Sequence, residues 1–308
     1  MLWSQSSAVK YGERDARESR QPAQLVCSPT VNLRLGVFSG ALRGWPPQQV
    51  AAAAAAAGLE AVEWEVGAGD RVHISVGSTD RDAERCNDAS QRAGLSVSGV
   101  CGDAGLSIVS PRDVDALLIA CAAVGASQAR MFAPAPVAGT PIRSQLDALR
   151  EALRGYEPQL QAHGATLLIE LSQGTLIPSP ELFWRVCEGM SPAQYGVLYD
   201  PANMLEAGNL EPSFAIDLMG EYLHHVHMKN KRFIEGPSGW AAQVVEVDQG
   251  FVDWRLVFRE LERAGYGGGV VIDHLSGAVD EARLKHDVEA SRRLWDERHE
   301  QPAAALDR

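Results

Sequence analysis

From Leu33 onward, short apolar runs alternate with loops and with longer stretches whose apolar positions recur at helical spacing. The runs predict strands at Leu33–Phe38, Ala61–Val66, Leu95–Cys101, Ala129–Phe132, Ala165–Glu170, Tyr195–Asp200, Leu223–Lys229 and Gly269–Asp273. Between them the spacing predicts helices at Pro47–Ala57, Asp80–Ala93, Pro111–Val124, Ser144–His163, Ser179–Glu188, Glu211–Met219, Trp254–Ala264 and Ala278–Trp295. Ser110-Pro111 and Ser179-Pro180 are start signals, because proline suits the first helical turn. Gly58, Gly94, Gly125, Gly164 and Gly265 stand at helix-to-strand joints, where a left-handed residue ends a helix. Strict strand–helix alternation implies parallel pairing through right-handed crossovers. A repeat of eight over about 270 residues fits a closed (β/α)8 TIM barrel as a single domain. An open dinucleotide-binding sheet is the alternative, but Ser39 to Gly44 lacks its glycine spacing.

Composition sharpens the class. Of 308 residues, 45 % are apolar and 22 % charged, which supports a sizeable core. A formal net charge of -12 repels phosphate backbones and argues against a nucleic-acid partner. No apolar run reaches the roughly 18 residues of a membrane span, and Ala51 to Ala57 is far too short. Cys27, Cys86, Cys101, Cys121 and Cys187 are scattered without a CxxC pair, so a reducing, cytoplasmic location is expected. Residues 1–31 are polar and form an expected flexible N-terminal extension; the barrel spans 32–300, with a tail at 301–308.

Four predicted strands in succession end on a metal-binding side chain: Glu170, Asp200, His227 and Asp273. Alternation places each on its strand's inward face at the C-terminal end, where barrel enzymes collect catalytic groups. Converging carboxylates repel one another unless a cation lies between them. Three oxygen donors and one nitrogen suit Mn2+, Mg2+ or Co2+ better than a closed zinc site. A carboxylate at a strand end is more often a helix cap, but four in consecutive strands are harder to explain that way. Lys229 shares the inward face and is a candidate oxyanion donor or ion-pair partner, while His225 reads as a packed core histidine. His73 is a candidate at the mouth, and Trp64 with Trp240 a candidate sugar-stacking wall. His274 reads as outward-facing. Cys101 has no neighbouring base to make it a nucleophile.

The segments Leu168-Ile169-Glu170, Tyr199-Asp200-Pro201-Ala202-Asn203-Met204, His225-Val226-His227-Met228-Lys229-Asn230 and Val252-Asp253-Trp254 resemble the xylose isomerase-like barrel superfamily, including its ketose 3-epimerases. The resemblance covers residues 33 to 298. It implies one divalent metal on Glu170, Asp200, His227 and Asp273, with Glu170 and Asp273 moving the substrate proton. It also implies substrate contacts from Asn203 and Arg232. Three departures stand out: Asp273 where Glu is usual, Asn203 where many epimerases carry His, and Asn230 where Asp is frequent.

The expected function is therefore a metal-dependent isomerase or epimerase of carbohydrate metabolism, acting through an enediolate on a ketose or keto-sugar. The alternative is a dehydratase or lyase (inosose dehydratase-like, or keto-glycoside β-elimination) on the same site. An endonuclease IV-like nuclease needs more histidines and a basic surface than this chain has, and a non-catalytic binding role is a weaker reading. The expected partner is a small sugar; homo-oligomers are common among the relatives, so self-association is a state the resemblance allows.

Overall fold

The strands run β1 (Leu35–Phe38), β2 (Ala61–Gly67), β3 (Ile74–Ser75), β4 (Ser96–Gly102), β5 (Gln128–Phe132), β6 (Thr166–Glu170), β7 (Tyr195–Tyr199), β8 (Leu223–Met228), β9 (Asn230–Gly236), β10 (Gly239–Val245) and β11 (Val270–Ile272). In the computed structural model, which describes residues 33–300 apart from 70, 238 and 276–278, the parallel order is β1-β11-β8-β7-β6-β5-β4-β2, and β2 returns to β1. Eight strands thus close the predicted barrel, with β3 a short extra strand beside β2. The expected extension 1–31 and tail 301–308 lie outside the described residues. No helix among the described residues is long and apolar enough to cross a membrane.

Alternation along each strand sorts the chain into two layers. Leu35, Val37, Val62, Trp64, Val66, Val100, Ala129, Met131, Leu167, Ile169, Val197, Val226, Val270 and Ile272 belong to the main apolar core with residues of the surrounding helices. Each leucine, isoleucine, valine or methionine among them, fully buried, contributes roughly 1.5–3 kcal/mol of transfer free energy. The other face of the strands points into the barrel, where Phe38, Cys101 and Val271 form a separate small apolar cluster. Buried polar groups occupy much of the remaining interior: Glu63, Glu65, Arg130, Glu170, His225 and His227. Polar groups are buried only when they are partnered or functional, so the interior marks where chemistry sits.

The helices are α1 (Pro47–Ala56), α2 (Thr79–Ala93), α3 (Pro111–Ala123), α4 (Ile142–Arg154), α5 (Glu157–His163), α6 (Pro180–Cys187), α7 (Pro201–Ala207), α8 (Pro212–Met219), α9 (Trp254–Arg263) and α10 (Glu281–Asp296). The five joint glycines all adopt positive φ, from 60° at Gly164 to 83° at Gly58. The helix expected over Ser144–His163 is instead two, α4 and α5. Pro158 has no N–H, and its ring would clash with the carbonyl four residues back, so the helix restarts at Glu157. Besides β3, a helix and a two-stranded ribbon fall outside the expected repeat. Helix α7 begins directly after β7 with Asp200 as its cap, and the insertion before α9 folds into the antiparallel ribbon β9–β10.

Asn230 anchors the foot of that ribbon. Its amide donates to the carbonyls of Val247 and Val252, at 2.8 and 3.0 Å, and its oxygen accepts from the amides of Lys231 and Val252. An aspartate cannot donate to those two carbonyls, so asparagine here serves the ribbon and not the substrate.

Candidate active site

Four inward-facing strand ends converge at the C-terminal mouth. Asp200 uses one oxygen for its own helix: Oδ1 accepts from the amides of Ala202 and Asn203, at 3.0 and 3.1 Å. That is ordinary capping. Its second oxygen, Oδ2, is left to the barrel interior.

Glu170, Asp200 and His227 each offer a ligand atom, and the three atoms lie within 4.8 Å of one another. Glu170 Oε2, Asp200 Oδ2 and His227 Nδ1 are all buried, and each lies against another charged group of the site: Arg130, Lys229 and Asp273 in turn. Two carboxylate oxygens and an imidazole nitrogen facing one another suit a divalent cation. The donor set therefore fits the expected metal.

Charge is already partly balanced by two buried cations. Arg130 Nε lies 3.1 Å from Glu170 Oε2, and Lys229 Nζ lies 2.5 Å from both Asp200 Oδ2 and Asp273 Oδ2. Asp273 stands outside the three-donor cluster: Oδ2 accepts from Lys229, and Oδ1 is 3.2 Å from His227 Nδ1. A side chain one methylene shorter than glutamate reaches the edge of the cluster and meets the ammonium there.

Beneath the cluster lies a second polar layer. His227 Nε2 donates to Glu63 Oε2 at 2.7 Å, which fixes the ring with Nδ1 toward the cluster. Glu63 comes from β2, across the barrel from β8, and its Oε1 is 3.3 Å from His225 Nε2. His225 Nδ1 is 3.1 Å from Gln128 Oε1, and with Glu63 and His227 it makes a second buried group of donor atoms within 4.8 Å of one another. Arg130 is fixed by the carbonyl of Gly102 at 2.8 Å and the thiol of Cys101 at 3.1 Å.

These contacts set the protonation states. Burial pushes Glu63 up, but the charges of His225 and His227 outweigh it and hold the carboxyl at about 2. Glu170 is raised by burial, against the opposing pull of Arg130, His227 and Lys229. Burial opposes ionisation of Asp273, yet Lys229 and His227 hold it well below the usual carboxylate range. Lys229 is raised because Asp200, Asp273 and Glu170 outweigh its burial. Burial pushes the Cys101 thiol up to about 12, which suits a wall and not a nucleophile.

Asn203 reaches the cluster: Nδ2 donates to Glu170 Oε1 at 2.9 Å. Its Oδ1 accepts from Lys231 Nζ at 3.2 Å, and Lys231 also bonds Glu206 at 2.5 Å. Three expected substrate residues are placed elsewhere. Trp64 faces outward by strand alternation and donates Nε1 to Ser90 Oγ of α2 at 3.1 Å. His73 packs against Trp64, with ring centroids 5.4 Å apart, and its Nε2 is 3.1 Å from the carbonyl of Trp45. Arg232 is exposed on the ribbon and pairs across it with Gln243. Its neighbour Lys231 is the ribbon residue that enters the site. Trp240 is also on the ribbon and is 70 % exposed. His274 is exposed, as expected.

Sequence reasoning missed Glu63, Arg130, Lys231 and Glu206. Glu63 and Arg130 each interrupt an otherwise apolar strand at an inward position, a signal present in the sequence. Lys231 and Glu206 carried none, because their meeting depends on the ribbon and on α7.

A closed parallel barrel with an acidic and imidazole cluster at its mouth defines the class, and the chain belongs to the xylose isomerase-like TIM barrel family, whose model matches residues 51–294. Solved structures similar to it include the apo form of 3-keto-D-glucoside 4-epimerase from E. coli, at 16 % identity and TM-score 0.66, covering 85 % of this chain and 100 % of that one. A xylose isomerase-like TIM barrel protein from Mycobacterium smegmatis in complex with magnesium is 16 % identical with TM-score 0.62, covering 87 % and 98 %. A probable 3-DHS dehydratase from Bacillus anthracis is 13 % identical with TM-score 0.62, covering 84 % and 98 %. No curated protein matches the chain in sequence. At 13–16 % identity these solved structures share the fold of this chain.

Proposed function

We propose that the chain is a divalent-metal-dependent sugar isomerase or epimerase, acting through an enediolate on a ketose or keto-sugar. The observation that carries this is the convergence of Glu170 Oε2, Asp200 Oδ2 and His227 Nδ1, three buried residues whose ligand atoms lie within 4.8 Å of one another. These residues would hold Mn2+, Mg2+ or Co2+, with zinc less suited to the oxygen-rich set. Bound there, the ion supplies Lewis acidity to the substrate's carbonyl and hydroxyl oxygens.

Glu170 takes the proton beside the carbonyl. Its carboxyl, raised by burial, is a better proton acceptor than an exposed one, and Asn203 and Arg130 fix its orientation. Lys229 presents an ammonium to the oxyanion that develops as the proton leaves. Asp273, the second carboxylate expected to move a proton, is held ionised with both oxygens engaged; in this reading it orients Lys229.

That engagement also favours elimination as the second reading. With Asp273 tied to Lys229, protonated Glu170 is left to return the proton from its own side, and an enediolate bearing a leaving group β to the carbonyl can expel that group instead. Incubation with Mn2+ in D2O across a ketose and keto-sugar panel separates the outcomes by mass spectrometry. Isomerisation or epimerisation adds one deuterium at constant carbon skeleton, and elimination loses water or an aglycone. Neither change across the panel sinks the activity.

Glu63 gives a test of the metal centre. Glu63→Ala frees the His227 ring, and Mn2+ affinity is expected to fall about 10- to 100-fold by calorimetric titration. Glu63→Gln, which keeps an accepting oxygen, is expected to lose less. Unchanged affinity in a folded Ala variant would show that the ring needs no such support.

A further inference from the structure

A cavity of about 420 Å3 is lined by Phe132, the register neighbour of the carboxylate assigned as the base. Its walls come from the loops that follow β4, β5 and β6, which places it at the catalytic end of the barrel. Leu106, Ile108, Phe132 and Pro134 supply the apolar lining, with the hydroxyls of Ser172 and Thr175 beside them, and no charged side chain lines it.

Its continuity with the site runs through three stacked groups. Phe132 lies beside Glu170 in the register of β5 against β6. The Arg130 guanidinium sits 4.4 Å from the centre of the Phe132 ring, and its Nε is 3.1 Å from Glu170 Oε2. Phe132 shares the inward face of β5 with Arg130, so one wall of the cavity is the side chain next to the base.

A sugar with a hydroxyl on nearly every carbon gains little from such a lining. Pockets of a few hundred Å3 with mainly apolar walls and few polar groups suit an apolar ligand part. The hydroxylated part of a substrate is served instead by Lys229, Asn203 and the carboxylate cluster. We infer that the substrate is a keto sugar carrying an apolar substituent, an aryl or alkyl aglycone, seated in this cavity while the sugar ring lies over Glu170. The inference rests on the activity proposed above and adds its substrate class.

The test compares cyclohexyl and methyl 3-keto-β-D-glucopyranosides, whose alcohols leave with similar ease, with the Mn2+-loaded protein, following deuterium uptake or aglycone loss. The cyclohexyl compound is expected to show a kcat/KM roughly tenfold or more above the methyl one. Ala135→Trp, at an exposed position on the cavity rim, is expected to bring that ratio close to one by filling the space. A second measurement needs neither metal nor turnover: saturation-transfer NMR of phenyl β-D-glucoside with the metal-free protein. Transfer should concentrate on the phenyl protons and vanish in the Trp variant. Equal rates for the two glycosides, or no phenyl transfer, overturns the inference. Phenyl transfer that the variant abolishes, without turnover of either glycoside, retains the cavity as an aryl site and overturns the activity alone.

Discussion

Lys229→Met is expected to bind divalent metal more tightly than the wild type while losing turnover. In the structure the Lys229 ammonium lies 2.5 Å from Asp200 Oδ2, one of the three atoms that would hold the ion. A divalent ion at Glu170, Asp200 and His227 must share that oxygen with a neighbouring positive charge. Two like charges in a buried site repel strongly, so the lysine lowers metal affinity. Methionine keeps most of the side-chain volume and removes the charge. The dissociation constant for Mn2+ is expected to drop about tenfold or more, a change of roughly 1.4 kcal/mol per decade.

Metal-free protein should respond in the opposite direction. Lys229 is 8 % exposed and neutralises Asp200 and Asp273 together. Removing one partner of a buried ion pair typically costs about 3–5 kcal/mol. The variant should melt lower in EDTA and recover much of the loss with Mn2+. Turnover should fall about 100- to 1,000-fold at saturating metal, the scale of a lost oxyanion donor. Calorimetric titration and thermal melts with and without metal read the two effects. Weaker metal binding in the variant would show that Lys229 supports the ion and does not compete with it.

Glu170→Gln is expected to remove proton exchange by about 100- to 10,000-fold, the range for a lost general base. The amide still accepts from Asn203 through its oxygen, but its nitrogen faces the Arg130 guanidinium, and one anionic ligand is gone. The measurement therefore belongs at Mn2+ concentrations that saturate the variant, with metal content determined alongside. Exchange retained within a few-fold at full metal occupancy would assign the proton transfer to another group.

The two variants differ in kind. One removes a charge that opposes the metal, and the other a charge that supports it. Opposite signs in metal affinity, with loss of turnover in both, would be hard to obtain from a general disturbance of the fold.

The eight strands and most helices were legible because local pattern decides them. A parallel strand buried on its outer face must be apolar there, and a helix must end where glycine takes positive φ. Glu170, Asp200 and His227 were legible for the same reason, since alternation fixes which way a strand residue points. The same rule excludes Trp64, which stands next to the inward-facing Glu63 and therefore faces α2. Arg232 failed differently: the insertion that carries it pairs with itself as a ribbon, and pairing put Lys231 inward and Arg232 in solvent.

Sequence alone thus determined the barrel and the strand-end residues that gather at its mouth, because periodicity and chain order suffice for both. Tertiary structure decided which of them face one another and what neutralises them. The contacts from Glu63 to His227, Arg130 to Glu170, and Lys229 to Asp273 join residues tens to hundreds of positions apart. Coulomb interactions depend on distance through space, and only closure of the barrel sets those distances.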